Sequence, residues 1–298
     1  MEYCYLGKSE LNISRLGFGC MSLDPKDSGS GNILHQAMDG GINYFDTADM
    51  YHEGQNEIML GRAFLGMRNK IILATKVGNQ WRADKSGWDW NPSKEYILSS
   101  VDQSLKRLQT DYIDLYQLHG GTIDDPIDDV IEAFELLKAS GKIRYYGISS
   151  IRPNVIREYV KRSSMISVMM QYSLLDRRPE EEMLSLLKEN RIGVLARGSI
   201  AKGLLVSKPA ERYLNYSTQE VAQAAAAVKV VSGTTSTPLE TTVRYVLNHP
   251  AITSAIIGIR TAEQLKEALA IRESDATQKV EMDELANILP ANKYTDHR

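Results

Sequence analysis

The chain has 298 residues, 43% of them hydrophobic and 24% charged, and 35 Lys and Arg against 38 Asp and Glu leave a formal net charge of -3. That near-balance gives no electrostatic footprint for nucleic acid or an anionic membrane. Cys4 and Cys20 form no CxxC or CxxH spacing and no apolar run is long enough to cross a bilayer, which argues against a disulfide framework, a metal site and a membrane span.

In chain order, "YCYLGKSELNI" (Tyr3–Ile13) reads as a small hairpin turned at Gly7-Lys8 and placed to plug a barrel floor. The N-terminus lacks a basic segment followed by an apolar run, so no signal peptide is expected and a cytoplasmic setting is. "RLGFG" (Arg15–Gly19) is the first strand candidate. The glycine-rich loop after it would suit a dinucleotide fingerprint, but Leu34 stands where the third glycine belongs. Gly29 and Gly31 also lie too far past the strand to form its tight first turn. Seven further strand candidates follow: Ile42–Asp46, Ile71–Lys76, Ile113–His119, Tyr145–Ser149, Ile166–Gln171, Ile192–Arg197 and Ser254–Gly258.

Helical periodicity falls between the strands, over Tyr96–Leu108, Ile127–Ser140, Pro179–Asn190 and Ala262–Ile271, with a helix-forming run at Ala222–Val228. Ile127, Val130, Ile131, Phe134 and Leu137 recur at spacings of three and four, giving one apolar face. A last helix is expected at Asp283–Leu289, before a polar tail. The strands are nearly continuous apolar runs, as in a parallel sheet covered on both faces. Roughly eight βα units in this length indicate one (β/α)8 TIM barrel domain over residues 1–298, with a short N-terminal hairpin.

In such a barrel chemistry gathers at the carboxyl ends of the strands. Here those ends deliver Asp46, Lys76, His119, Ser149-Ser150, Gln171, Arg197-Gly198, and Gly258 with Arg260 just beyond. Taken alone, Lys76 would read as a lysine reaching for solvent, His119 as a structural histidine, and Asp46 or Asp49 as turn caps. The barrel puts the second, third and fourth strands side by side, so the residues act together. Asp46 can pair with Lys76, and the ammonium would draw the pKa of Tyr51 down from about 10. That set suits a general acid: Tyr51 as proton donor, Lys76 as its tuner, Asp46 as anchor and His119 as orienting group. Asp49 reads as an ordinary loop acid. The loop Gly78–Ser93 carries Trp81, Trp88 and Trp90, which suggests an apolar or aromatic substrate pocket.

"GINYFDTADMYHEGQNE" (Gly41–Glu57), "ILATK" (Ile72–Lys76), "DYIDLYQLHG" (Asp111–Gly120) and "GKIRYYGIS" (Gly141–Ser149) resemble the aldo-keto reductases. So do "MQYSLLDR" (Met170–Arg177), "RGSIAKGLL" (Arg197–Leu205) and "IIGIRTAEQLKEA" (Ile256–Ala268), in family order over nearly the whole chain. Within the family the resemblance is to bacterial members, nearer the potassium-channel β-subunit branch than the aldose-reductase branch. It implies an NADP(H)-dependent reduction of aldehydes or ketones, with Asp46, Tyr51, Lys76 and His119 as the catalytic tetrad.

It further implies that Ser149, Ser150 and Gln171 hold the nicotinamide carboxamide, with Arg197 against the ring. Gly198, Ile200 and Lys202 would line the pyrophosphate, and Cys20, Met21 and Gly258 would sit near the cofactor. Arg260 and Gln264 would meet the adenosine 2′-phosphate. Departures from the family pattern are His52, where a glycine usually follows the tyrosine, Ser150 for asparagine, Ile257 for proline and Ala268 for asparagine. The partner is then a small carbonyl compound, acting on a monomer or small homo-oligomer. The alternatives are a nucleotide-sensing or channel-associated subunit with little turnover, and a lyase forming a Schiff base on Lys76.

Overall fold

A computed structural model describes residues 1–272 and 279–298. Eight parallel strands close into a barrel in chain order: β1 (Leu16–Gly19), β2 (Tyr44–Asp46), β3 (Ile72–Val77), β4 (Ile113–Leu118), β5 (Ile143–Ser149), β6 (Ser167–Gln171), β7 (Gly193–Arg197) and β8 (Ile252–Gly258). β8 returns to β1, pairing Ala255 with Leu16 and Gly258 with Gly19. The helices outside are α1 (Ser30–Asp39), α2 (Gln55–Ala63), α3 (Lys94–Leu108), α4 (Ile127–Ala139), α5 (Pro153–Arg162), α6 (Met183–Glu189), α7 (Thr218–Ser232), α8 (Pro238–Asn248), α9 (Ala262–Leu269) and α10 (Lys279–Ala286). The expected (β/α)8 barrel is therefore the fold.

Local signals explain where several helices start. Ser93 caps α3 by accepting the Tyr96 N–H, and Ser217 with Glu220 forms a reciprocal capping box on α7. Pro153 and Pro238 occupy first turns, where a missing N–H costs nothing. The helix expected over Pro179–Asn190 is in fact a 3-10 turn, Arg178–Glu181, followed by α6. The break falls at Glu182, whose φ of -155° and ψ of -41° lie outside the helical region. The loop after β3 also differs from expectation, because Asn79–Trp81 and Trp88–Trp90 pair as an antiparallel hairpin. The final helix is described over Lys279–Ala286, four residues earlier at its start than the apolar pattern from Asp283 suggests.

Strand side chains alternate between the helices and the barrel lumen. Outside, Phe45 packs on Phe64 with ring centroids 4.7 Å apart, and Phe134 stacks on Tyr146 at 5.2 Å. Inside, Tyr44, Ala74, Leu115, Met169, Leu195 and Ile256 form a separate cluster, fully or almost fully buried. Leu6, Leu11 and Ile13 join that cluster from below. They come from the N-terminal hairpin, whose arms Tyr3–Tyr5 and Asn12–Ser14 pair antiparallel. The hairpin thus closes the amino-terminal end of the barrel, as its sequence suggests.

Gly7, at the hairpin turn, makes the plug possible. It has φ +57°, and an added Cβ would lie 2.4 Å from the Ile166 carbonyl oxygen and 2.8 Å from the Gly193 nitrogen. Both are backbone atoms of the barrel and cannot swing away. We expect Gly7→Ala to lower the unfolding free energy by about 3 kcal/mol, from overpacking together with a left-handed backbone. Urea unfolding of the variant beside the parent protein measures this, and a loss below about 0.5 kcal/mol would show that the plug is dispensable.

Candidate active site

One strand period above Tyr44, Ala74 and Leu115, the inward positions become Asp46, Lys76 and Gln117. Two residues advance the chain to the same face of the sheet, so an apolar layer is followed directly by a polar one. Neighbouring strands hold them level: Lys76 is opposite Gln117, and Asp46 is opposite Ala74, two residues before Lys76. The Lys76 ammonium donates to Asp46 Oδ1 and, at 2.8 Å, to the Thr47 carbonyl. Gln117 Nε2 donates to Asp46 Oδ2 at 3.2 Å. Lys76 is 1% exposed, so this pair is shut away from water, where its Coulomb attraction is least screened. Gln117, which supports Asp46 from β4, has no motif that marks it in the sequence. Ending the strand at His119 drew attention to its last residue, whereas counting by two from Leu115 finds Gln117.

Tyr51 stands over this pair. Its ring centroid is 5.2 Å from Lys76 Nζ and 5.7 Å from the His119 ring, which it meets nearly edge-on at 80°. The tyrosine opens a tight turn, Tyr51–Gly54, in which His52 (φ 50°), Glu53 (φ 54°) and Gly54 (φ 83°) are all left-handed. His52, the residue that departs from the family's glycine, therefore sits in a conformation that favours glycine. Trp81 steadies the segment by donating its indole N–H to the Met50 carbonyl at 3.1 Å.

These groups form the floor of a cleft of about 1260 Å³ at the carboxyl end of the barrel. Asp46, Tyr51, Lys76 and His119 all reach it, as do Met21, Ser149, Ser150 and Gln171. Arg197, Gly198, Ile200, Lys202, Gly258 and Arg260 complete the expected set along the wall. Two expected residues do not line the cleft. Cys20 is fully buried beneath the strand ends, its Sγ 3.7 Å from the Phe18 carbonyl. Gln264 lies on the first turn of α9, where its side chain accepts the Arg260 N–H at 2.9 Å instead. Trp88 and Trp90 line the cleft with Met50, while Trp81 serves the loop.

Other wall residues carried no sequence signal. Arg152 follows Ser150 by two residues, and Ser199 has a buried hydroxyl without a hydrogen-bond partner. Tyr294, Thr295, Asp296 and His297 of the polar tail also reach the cleft. The tail is held as a strap: Asn154 donates its N–H to the His297 carbonyl at 2.9 Å, and Arg298 pairs with Glu181.

Electrostatics separate the roles of the buried groups. Burial pulls the Lys76 pKa down, but Asp46 and the Tyr51 phenol more than offset it, so the amine stays an ammonium. Burial pushes the Tyr51 phenol up, and the opposing pull of Lys76 does not cancel it. The net direction is thus the reverse of the depression expected from sequence, although the expected pull of the lysine is present. His119 is pushed down to about 3 by burial, reinforced by Lys76 and Arg197, and is a neutral imidazole near pH 7. Its Nδ1 has no hydrogen-bond partner among the described residues. Asp49 is no ordinary loop acid. It is 8% exposed, and burial with Glu57 close by lifts it well above the carboxylate range. Arg107 donates to Glu57 at 2.6 Å, and among the described residues Asp49 Oδ1 has no hydrogen-bond partner.

A barrel whose strand ends carry this buried tyrosine, lysine, aspartate and histidine can be compared with known proteins. The model of the aldo/keto reductase family matches residues 15–289. The chain belongs to this family. Among curated aldo/keto reductase relatives it is 50% identical over 302 residues to the uncharacterized oxidoreductase YqkF of Bacillus subtilis, covering 98% of each chain. It is 29% identical over 295 residues to the aldo-keto reductase yakc [NADP(+)] of Schizosaccharomyces pombe, covering 90% of this chain and 87% of that one. Among solved structures, the holo form of aldo-keto reductase AKR11C1 from Bacillus halodurans superposes with a TM-score of 0.92. That match has 48% identity and covers 100% of this chain and 99% of the other. As an aldo/keto reductase, the protein is an oxidoreductase.

The depressed histidine makes a thermodynamic prediction for this aldo/keto reductase. His119 titrates at about 3 when folded and near 6.5 when unfolded. The unfolded chain therefore binds the extra proton between those values, and the stability due to this group is lost as pH falls below 6.5. Between pH 7 and pH 5 it removes about 2 kcal/mol. Urea titrations of the ligand-free protein at both pH values should show that loss shrinking by a similar amount in His119→Asn. An unaltered pH dependence in the variant would mean that the folded imidazole is charged.

Proposed function

We propose that the protein reduces aldehydes or ketones to alcohols at the expense of NADPH, in the cleft at the carboxyl end of the barrel. The observation that carries this is the buried chain Asp46–Lys76–Tyr51, with a neutral His119 against the tyrosine ring. Its parts are an acid that holds its proton at neutral pH, and a fixed cation beside it. The family also contains a relative whose name carries NADP(+) and a solved structure described as a holo form.

The cleft suits a phosphorylated dinucleotide. Arg197, Lys202, Lys208 and Arg260 line the side built by β7 and β8, and among the described residues none of them has a carboxylate partner. Such a row of free cations matches pyrophosphate and a 2′-phosphate. The loop after β7 is left-handed at Gly198, Ala201, Lys202 and Gly203, and its Ala201 and Gly203 N–H groups close tight turns on the Gly198 and Ile200 carbonyls at 2.8 Å. The unpartnered Ser199 hydroxyl faces the same cavity. Ser149, Ser150 and Gln171 at the ends of β5 and β6 offer the donors and acceptors that a carboxamide needs.

When bound, the reduced nicotinamide supplies the hydride that adds to the carbonyl carbon. Tyr51 gives its phenolic proton to the carbonyl oxygen, completing the alcohol. Burial keeps that proton in place near pH 7, and the Lys76 ammonium stabilises the phenolate left behind. Asp46, held by Gln117 as well, keeps the ammonium aimed. His119, being neutral, can donate a hydrogen bond to the carbonyl without placing a further cation beside Lys76.

Tyr51→Phe removes only the phenolic oxygen. We expect kcat for a test aldehyde to fall by about 10²–10⁴-fold, while NADPH still binds when followed by nucleotide fluorescence. Retained turnover would exclude Tyr51 as the acid. For nucleotide choice, Arg260→Ala should weaken NADPH by about 10-fold or more and leave NADH affinity within about 2-fold. Parallel titrations of both nucleotides make the comparison, and equal losses would remove Arg260 from the 2′-phosphate.

A further inference from the structure

The cations of the cleft divide into paired and free. Lys76 is paired with Asp46. Arg178 is paired with Asp176 through two hydrogen bonds, at 2.7 and 2.8 Å, and its guanidinium lies 5.1 Å from the Tyr294 ring centroid. Lys202, Lys208, Arg197 and Arg260 are free but belong to the β7–β8 side. Arg152 is the remaining cation: it lines the cleft, and among the described residues it has no carboxylate partner.

Arg152 is also in a different place. It sits in the loop after β5 and donates to the Gly121 carbonyl in the loop after β4, directly behind His119. In the closed eight-stranded ring, β4, whose loop holds the Arg152 guanidinium through Gly121, lies across from β8. The hydrogen bond to Gly121 fixes one nitrogen of the guanidinium and leaves the other donors available. Asp125 lies in the same loop as Gly121, but its carboxylate is occupied by the Thr122 N–H and hydroxyl and by the Trp90 indole, at 2.7–3.0 Å. Asp296, on the strap, accepts from the Thr295 hydroxyl and makes no ion pair with Arg152. Arg152 also precedes α5, whose amino-terminal dipole adds positive potential at the same point.

The lining that Tyr51 and Arg152 share includes the apolar Met50, Trp88, Trp90 and Ile151. We infer that the substrate is a carbonyl compound with a short apolar stem and a terminal anion, carboxylate or phosphate, held by Arg152 while its carbonyl meets Tyr51 and His119. This rests on the carbonyl-reductase reading above. It narrows that reading to one chemical class.

The test compares matched aldehydes. Succinic semialdehyde against butanal probes a carboxylate, and glyceraldehyde 3-phosphate against glyceraldehyde probes a phosphate. The quantity read is the ratio of kcat/KM for the charged aldehyde to that for its neutral match, so a general change in activity cancels. A charge-assisted hydrogen bond sets the expected ratio at about 10–100 for one pair. The ratio should fall toward 1 in Arg152→Gln and recover in part in Arg152→Lys. A ratio near or below 1 in the parent protein for both pairs, or a ratio that survives in Arg152→Gln, overturns the inference. Binding is read independently of turnover by titrating tryptophan fluorescence with glutarate, because Trp88 and Trp90 line the cleft. Saturation in the parent protein that is weakened about 10-fold or more in Arg152→Gln supports the anion site even if no aldehyde is reduced. Equal titration curves overturn it, and failure to reduce any aldehyde counts against the proposed function alone.

Discussion

A lysine ammonium buried inside a closed barrel is the constraint around which the rest of this structure is arranged. Removed from water, such a charge costs several kcal/mol unless it is paired and fully hydrogen-bonded. Asp46 and the Thr47 carbonyl meet that demand from the neighbouring strand, and Gln117 meets the remaining demand of Asp46 from the strand beyond. Three strands must therefore be in register before the site exists. The barrel supplies the register because its lower layer, from Tyr44 to Ile256, is packed and offers one way for the strands to align. Stability of the lower layer and chemistry of the upper layer are successive turns of one two-residue period.

The same burial decides the state of the tyrosine. A phenol beside an ammonium in water would be acidified, yet here the loss of hydration outweighs the neighbouring charge. A general acid needs its proton in place before the reaction, and afterwards needs its anion stabilised. In the role proposed for Tyr51, dehydration would serve the first need and Lys76 the second. His119 follows the same rule with the opposite sign: dehydration strips its proton, so the imidazole adds no charge beside the Lys76–Asp46 pair.

The barrel and its polar rim were legible because both depend on local pattern: apolar runs for the strands, and the residue type where each run stops. The eight strand candidates fall on the eight barrel strands, and the residues at their ends meet in one cleft. Pattern fails where a side chain's setting is decided by distant chain. Asp49 looks like a loop acid beside Tyr51, but α2 and α3 close over it with Glu57 and Arg107. Cys20 follows β1 like a rim residue, but its side chain turns under the strands. The tail Tyr294–His297 has no periodicity, since it is held by contacts with residues more than a hundred positions away, such as Glu181 and Asn154. Gln117 was readable in principle, from the alternation of its own strand.

The hairpin beneath the barrel has a kinetic meaning as well as a structural one. With Leu6, Leu11 and Ile13 filling the lumen from below, the barrel is a cup rather than a tube. Nothing can pass through it, so every molecule that reaches Tyr51 enters and leaves through the carboxyl end of the barrel.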